Sequence, residues 1–135
     1  MGRNLPSETL KGQEVGLMNI RYSERVDTAF PVIFSGDSFV GEGTVSNVSV
    51  PGCEIVSNRI MELGTYLEMK VLMPGQGPSL CVELARIRWR KGRRFGVEFI
   101  RMPGADQVRL GRLIKGTRAI RSAARLEYAR MLHSE

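Results

Sequence analysis

Two short polar patterns have residue types and spacings that suit a phosphorylated or planar ligand. Arg21 and Arg25 lie four residues apart in a polar segment, and Asn47-x-Ser49-x-x-Gly52 lies between two predicted strands. Arginine forks fit phosphate oxygens and stack on flat rings, whereas Asn and Ser offer short hydrogen-bonding groups. The same residue types also occur in ordinary turns and, for the arginines, by chance in an arginine-rich chain. Together the patterns indicate binding rather than catalysis.

The other reactive residues do not form a recognisable catalytic or metal-binding pattern. The single histidine, His133, lies close to the end of the sequence, where a base cannot be held rigidly beside a nucleophile. Cys53 and Cys81 are far apart and have no His or Cys nearby, which argues against a zinc site or a disulfide-stapled fold. The glutamates occur singly on predicted strands. We therefore expect no enzymatic activity, no metal and no cofactor.

The charge balance favours an anionic partner. The chain has 135 residues, enough for one domain, with a formal net charge of +6 that comes mainly from arginine. A genome rich in G and C also inflates arginine, and composition alone does not separate the two explanations. The first residues lack the apolar core of a secretory signal, and no apolar run is long enough to span a bilayer. We therefore expect a cytoplasmic protein.

The middle of the chain has the pattern of short strands separated by tight turns. Alternating or β-branched runs bounded by Gly, Pro, Asn and Ser predict strands at residues 30–34, 39–50, 53–56, 66–73, 80–90 and 95–100. Short strands without intervening helices predict a mainly β fold, in which an antiparallel sheet closes into a small barrel.

The long predicted strand 80–90 carries arginines and the only tryptophan. Strict alternation places Trp89 on one face with Ala85 and Ile87, and it places three arginines, together with Val82 and Leu84, on the other face: Arg86, Arg88 and Arg90. The arginines either border a binding site or form a solvated basic face. Trp89 fits two interpretations equally well, as a core residue or as a ring that stacks on a ligand.

A helical period replaces the strand pattern after residue 102. Pro103 to Asp106 predict the start of a helix, because an acid near the N-terminus suits the helix dipole. Apolar residues then recur at steps of three and four, as far as Met131. We divide the chain into a flexible N-terminal arm (1–18), a barrel domain (19–115) and a C-terminal helix extension (116–135). A homodimer through this long C-terminal helix is a further expectation.

In this order, the two polar patterns resemble the signature of the PilZ domain family, an RxxxR stretch followed by [D/N]xSxxG. The segments 85–89 (ARIRW) and 95–99 (FGVEF) are similar to the closing strands of that family, and the resemblance covers roughly residues 19–115. It implies a six-stranded antiparallel β-barrel that binds cyclic di-GMP. Pro51 departs from a glycine-rich version of the second motif and should stiffen its loop.

The resemblance also implies the ligand-binding residues, which are Arg21, Arg25, Asn47, Ser49 and Gly52, with Trp89 as a further candidate. Guanine presents O6 and N7 as adjacent acceptors, which match an arginine fork. Gly52 has no Cβ, so we expect a close approach of ligand and backbone there. The arginine arm is expected to order over the nucleotide and so signal to a partner protein. Some family members carry a further arginine where this chain has Ile20, which favours one ligand per site.

Two other functions remain open. The first is a protein interaction module with the PilZ-like fold but no ligand. The second is a basic barrel that binds RNA or single-stranded DNA, against which the aromatic content of 7% argues. Motility, polysaccharide synthesis and virulence control are all associated with the family, and no residue chooses among them.

Overall fold

A computed structural model describes residues 24–75 and 77–133 of the chain. It contains six strands followed by one helix: β1 Val26–Ser35, β2 Val40–Val48, β3 Gly52–Val56, β4 Tyr66–Val71, β5 Leu80–Lys91, β6 Arg94–Arg101 and α1 Gly104–His133. The expected arm at residues 1–18 lies outside the described residues, and so do Ile20 and Arg21. Within the part of the chain that the structure describes, no helix combines the length and apolar character needed to cross a membrane.

The six strands form one closed antiparallel barrel. Their order around the barrel is β1-β2-β3-β6-β5-β4, and β4 pairs with β1 to complete the ring. The predicted fold class, a mainly β protein with a six-stranded antiparallel barrel and a long C-terminal helix, is therefore confirmed. The β2–β3 hairpin and the β5–β6 hairpin are joined by pairing of β3 with β6, which brings the Asn47-x-Ser49-x-x-Gly52 segment beside the two closing strands.

Inward-facing apolar side chains fill the barrel. In β4, for example, Leu67, Met69 and Val71 are buried and alternate with exposed residues, as expected for a strand with one solvated face. Phe34 and Phe95 are completely or almost completely buried and meet edge to face, with ring centroids 5.5 Å apart. This geometry is favourable for aromatic pairs, and it fixes β1 against β6 across the core.

The alternation predicted for β5 is wrong, because the strand is irregular. The buried residues are Leu80, Val82, Ala85 and Ile87, so the inward positions change from even to odd numbers. The pairing of β5 with β6 shifts between residues 84 and 85 and again between 87 and 89, and each shift is a bulge that reverses the facing of the residues that follow. The second bulge turns Trp89 outward, where it is 38% exposed.

The helix α1 is anchored to the barrel by its first turns. The Asp106 carboxylate accepts a hydrogen bond of 2.6 Å from the backbone N–H of Cys81, and Leu110 and Ile114 are buried. Beyond Ile114 the described side chains are mostly exposed, and Ile120 is 71% exposed. The expected boundary between residues 115 and 116 therefore falls inside one continuous helix, close to the point where burial ends.

Candidate functional site

The candidate site lies on the outward face of four neighbouring strands. Asn47 in β2 is opposite Glu54 in β3, Glu54 is opposite Gly96 in β6, and Gly96 is opposite Trp89 in β5. Adjacent strands are about 4.8 Å apart, so this row crosses roughly 14 Å of the barrel surface. The fold thus places the second motif and Trp89 on the same face, although they are about forty residues apart in the sequence.

A hydrogen-bonded chain of side chains begins this row. Arg25 Nη1 donates to Asn47 Oδ1 at 2.7 Å, and Asn47 Nδ2 donates to Glu54 Oε1 at 3.0 Å. Ser46 Oγ donates to the same Glu54 oxygen at 2.6 Å, and Arg94 Nη1 lies 4.0 Å from Oε2. Asn47 is held at both ends of its amide, so it orients the exposed Arg25 guanidinium on the outer surface of the barrel.

The other two residues of the second motif close the β2–β3 hairpin. The backbone N–H of Ser49 donates to the Gly52 carbonyl at 2.8 Å, and the Ser49 hydroxyl donates to the same oxygen at 3.1 Å. Ser49 is 1% exposed. Gly52 faces β6, where an added Cβ would lie 2.1 Å from the Val97 carbonyl oxygen. The missing side chain of Gly52 thus admits a neighbouring strand; Gly52 also lines the cavity described next, and the expected close approach of a ligand there stays a prediction.

A shallow cavity of about 190 Å³ opens beside this hairpin. Its walls combine two arginines, a carboxylate, the indole ring and strand backbone, from Arg25, Pro51, Gly52, Cys53, Arg88, Trp89, Gly96, Val97 and Glu98. The indole lies across Gly96, where an added Cβ would be only 2.0 Å from Trp89 Nε1. Of the two interpretations of Trp89, the structure supports a place on the cavity wall and not in the core.

The three arginines of β5 have different surroundings. Arg88 lines the cavity and lies 3.4 Å from Glu98, with Nη1 near Oε1. The Arg86 guanidinium instead lies over the Tyr66 ring, 5.6 Å from its centroid. Arg90 is exposed near the end of the strand. Of these three, the structure therefore brings Arg88 to the candidate site.

Sequence reasoning did not select Glu98 or Gly96 as site residues. Both face outward on β6, two residues apart, and they flank the same cavity as Trp89. In the sequence, a single glutamate on a strand cannot be distinguished from an ordinary solvent-exposed residue. Gly96 within FGVEF was visible in the sequence, and only the pairing of β5 with β6 shows that it makes room for the indole.

Cys53 contributes to the cavity wall, but its side chain is almost completely buried. Burial raises the pKa of its thiol from 9.0 to about 12; nearby Arg25 lowers it by a smaller amount, and Glu54 raises it. At neutral pH the thiol is therefore protonated and inert. Among residues 24–75 and 77–133, no group of His, Cys, Asp and Glu is arranged to hold a metal ion. The cavity offers guanidinium groups, a carboxylate and an aromatic ring, which suit recognition of an anion that carries a flat base.

Comparison with known sequences identifies a family. The sequence model described as "PilZ domain" matches residues 19–116, which is most of the chain. No curated protein matches the sequence.

Solved structures show the same fold at low sequence identity. The inhibitor of motility MotI/DgrA of Bacillus subtilis is 17% identical, with a TM-score of 0.60 over 70% of this chain and 49% of that chain. The PilZ domain of CeSA from a cellulose-synthesizing bacterium is 18% identical, with a TM-score of 0.55 over 70% of this chain and 97% of that domain. YcgR of Escherichia coli, solved in complex with c-di-GMP, is 16% identical, with a TM-score of 0.60 over 80% of this chain and 49% of that one. The chain thus spans about half the length of MotI and YcgR.

Proposed function

Because the chain belongs to the PilZ domain family, we propose that it is a receptor that binds cyclic di-GMP on the outward face of β2, β3, β6 and β5. The observation that carries the proposal is that the hydrogen-bonded side chains of Arg25, Asn47 and Glu54 lie next to the cavity that Trp89 lines. The solved complex of YcgR with c-di-GMP supports the choice of ligand, since that protein has the same fold.

Two side chains on the cavity wall are complementary to different parts of the ligand. The Arg25 guanidinium, oriented by Asn47, would donate to a phosphate or to O6 and N7 of a guanine. The Trp89 ring would stack on a guanine face. Asn47 acts by positioning Arg25, and Ser49 and Gly52 act by holding the hairpin in place, so these three residues contribute to binding mainly through the shape of the site.

Arg21 completes the RxxxR motif and is assigned to the ligand through the family motif alone. A cavity of about 190 Å³ is smaller than the range of about 300–1,000 Å³ that encloses a typical small-molecule ligand. The dinucleotide would therefore extend beyond the described walls, and we propose that the segment carrying Arg21 orders over it. This ordering would change the surface presented to a partner protein. One nucleotide per site and a cytoplasmic location complete the proposal.

The site is proposed to recognise its ligand without changing it. The thiol of Cys53 is protonated, and the described carboxylates near the cavity, Glu54 and Glu98, are engaged by donors or an arginine. The function is therefore that of an adaptor, which converts the concentration of a nucleotide into a protein contact.

Isothermal titration calorimetry with cyclic di-GMP tests the proposal. Hydrogen bonds to a charged group contribute about 1.5–3 kcal/mol, so Arg25→Ala should weaken binding by roughly tenfold to a hundredfold. Arg130→Ala removes the same charge from the exposed surface of α1 and should leave the affinity unchanged. Absence of binding by the wild-type protein, or equal losses in both variants, would overturn the proposal.

A second candidate function rests on the exposed end of α1. Ile120, Tyr128, Met131 and Leu132 are each at least 60% exposed, and they continue the helical spacing of the buried Leu110. An exposed apolar stripe of this kind is typical of a protein contact, here proposed as a homodimer. Multi-angle light scattering should give a dimer mass for the wild-type protein and a monomer mass for a variant with Ile120→Gln and Tyr128→Gln. A monomeric wild-type protein contradicts this second proposal.

A further inference from the structure

The cavity contains one feature that an anion-binding site does not need. The Glu98 side chain is half-exposed and lies on the cavity wall, directly opposite Gly52 in β3. Cyclic di-GMP carries two phosphates, and a carboxylate close to a dianion lowers affinity by like-charge repulsion. A carboxylate on this wall therefore favours binding only if the ligand directs hydrogen-bond donors toward it.

Guanine supplies such donors on one edge. Its N1–H and its 2-amino group lie side by side, and they match the two oxygens of a carboxylate, which only accepts hydrogen bonds. O6, an acceptor, is next to N1–H on the same edge. The Arg88 guanidinium lies 3.4 Å from one oxygen of Glu98, so the pair presents a donor beside an acceptor. The pair is complementary to the guanine edge.

The distances along β6 suit a base held between Trp89 and this pair. Gly96, which the indole covers, and Glu98 are two residues apart and both face outward, so their Cα atoms are separated by roughly 7 Å. Gly52, opposite Glu98, contributes no side chain to this surface. A base stacked on the indole can therefore direct its edge toward Glu98 without meeting a side chain from Gly52.

We propose that Glu98 selects guanine, by accepting hydrogen bonds from N1–H and the 2-amino group of one base while Arg88 donates to O6 of the same base. This inference rests on the proposed function. Hypoxanthine retains O6 and N1–H but lacks the 2-amino group, so it loses one of the two bonds. The N1 atom of adenine carries no proton, so it cannot donate a hydrogen bond to the Glu98 carboxylate.

A cycle of two proteins and two ligands tests the inference. Cyclic di-GMP and cyclic di-IMP, its hypoxanthine analogue, are titrated by calorimetry into the wild-type protein and into Glu98→Gln. The wild-type protein should bind cyclic di-IMP about tenfold more weakly than cyclic di-GMP. Glu98→Gln should weaken the binding of cyclic di-GMP by roughly tenfold or more. The preference for cyclic di-GMP should shrink several-fold in Glu98→Gln, because the same hydrogen bond has already been weakened there.

Glu83 provides a closely matched control. It also forms an exposed ion pair, with Arg101 at 3.3 Å, and its side chain is 51% exposed compared with 49% for Glu98. Glu83 is not one of the residues that line the cavity, so Glu83→Gln should leave both affinities and their ratio unchanged. Circular dichroism should show the same melting temperature for both variants within about two degrees, since exposed ion pairs contribute little to stability.

The possible failures are distinguishable. If the wild-type protein binds cyclic di-GMP in an Arg25-dependent way, but Glu98→Gln retains its affinity or its full preference over cyclic di-IMP, the role of Glu98 is overturned and the receptor function stands. If the wild-type protein binds neither nucleotide, both proposals are overturned.

Discussion

Trp89 and Gly96 act as one unit at the scale of single residues. The indole lies across the glycine, so the position of the ring depends on the absence of a single methyl group. Trp89 is also the only tryptophan in the sequence, which makes its fluorescence a direct report on the cavity wall.

We expect Gly96→Ala to displace the indole, because the added Cβ would lie 2.0 Å from Nε1. Stacking of a base on an aromatic ring contributes about 1–3 kcal/mol, so cyclic di-GMP should bind about tenfold more weakly. The emission maximum of the tryptophan should shift, and the nucleotide should change its intensity less than in the wild-type protein. Gly111→Ala, where the new methyl group meets open space, should change neither signal.

The two cysteines should differ in reactivity. Burial raises the pKa of Cys53 to about 12, so its thiolate is scarce at pH 8, whereas Cys81 is partly exposed. An aromatic disulfide reagent should label Cys81 first and Cys53 only after unfolding, as measured by mass spectrometry of the peptides. The pKa of Cys53 in the folded state lies above the unfolded value of 9.0, so the unfolded state loses this proton first as pH rises. The contribution of this thiol to the free energy of unfolding should therefore be constant below about pH 9 and should fall between about pH 9 and pH 12. Rapid labelling of native Cys53 would contradict this account.

At the scale of elements, the β2–β3 hairpin determines where the site lies. Ser49 and Gly52 close it through one shared carbonyl acceptor, and Gly52 also allows β3 to approach β6 closely. The hairpin turn carries Pro51, whose carbonyl accepts a hydrogen bond of 2.8 Å from the backbone N–H of Phe99 in β6. The second family motif therefore stabilises the packing of the β2–β3 hairpin against the β5–β6 hairpin, and it also forms part of the cavity wall.

Substitutions in this hairpin should change stability in a predictable order. Gly52→Ala places a Cβ 2.1 Å from the Val97 carbonyl and should cost about 1–3 kcal/mol, like other overpacked sites. Ser49→Ala removes one buried hydrogen bond and should cost about 1 kcal/mol. For comparison outside the hairpin, Gly111→Ala in the first turns of α1 should stabilise the fold by up to about 1 kcal/mol. Urea denaturation measures all three, and a neutral Gly52→Ala would contradict the close approach of the strands.

The sequence predicts the strands and the barrel well, because alternation and turn residues are local signals. It fails at β5, where two bulges arise from pairing with β6, and these bulges decide that Trp89 faces outward. It also fails to identify Glu98 as a cavity residue, since an outward glutamate on a strand is ordinary until its cross-strand neighbours are known. The assignment of the motif residues to a ligand stays a prediction, and the different roles of Asn47, Ser49 and Gly52 depend on contacts between strands that the sequence does not show.

At the scale of the whole molecule, the site lies next to a groove beneath the helix. This groove has a volume of about 390 Å³ and lies between the hairpin turn, the end of β6 and the first turns of α1. Pro51 lines both the groove and the cavity, and its bond to Phe99 connects the two. A ligand that stiffens the hairpin therefore also stiffens one wall of the groove.

Hydrogen exchange should detect this connection. With cyclic di-GMP at about 100 times its Kd, amides whose opening disrupts the site should exchange up to about a hundredfold more slowly. We expect this protection in peptides spanning residues 48–54 and 96–101. Peptides from residues 123–132, in the exposed part of α1, should be unaffected. Protection confined to the distal helix would show that the nucleotide binds elsewhere.

The closed barrel also limits how a partner can recognise the protein. Many signalling domains recruit an extended peptide as an additional strand, which uses the unpaired backbone groups at the edge of a sheet. Here every strand pairs with a neighbour on each side over part of its length, so among the described residues the ring leaves only short unpaired stretches, such as residues 88–91 of β5 on the side of β4. A partner of the proposed receptor should therefore contact mainly side chains and the helix, and its specificity could change by surface substitution without disturbing the backbone of the fold.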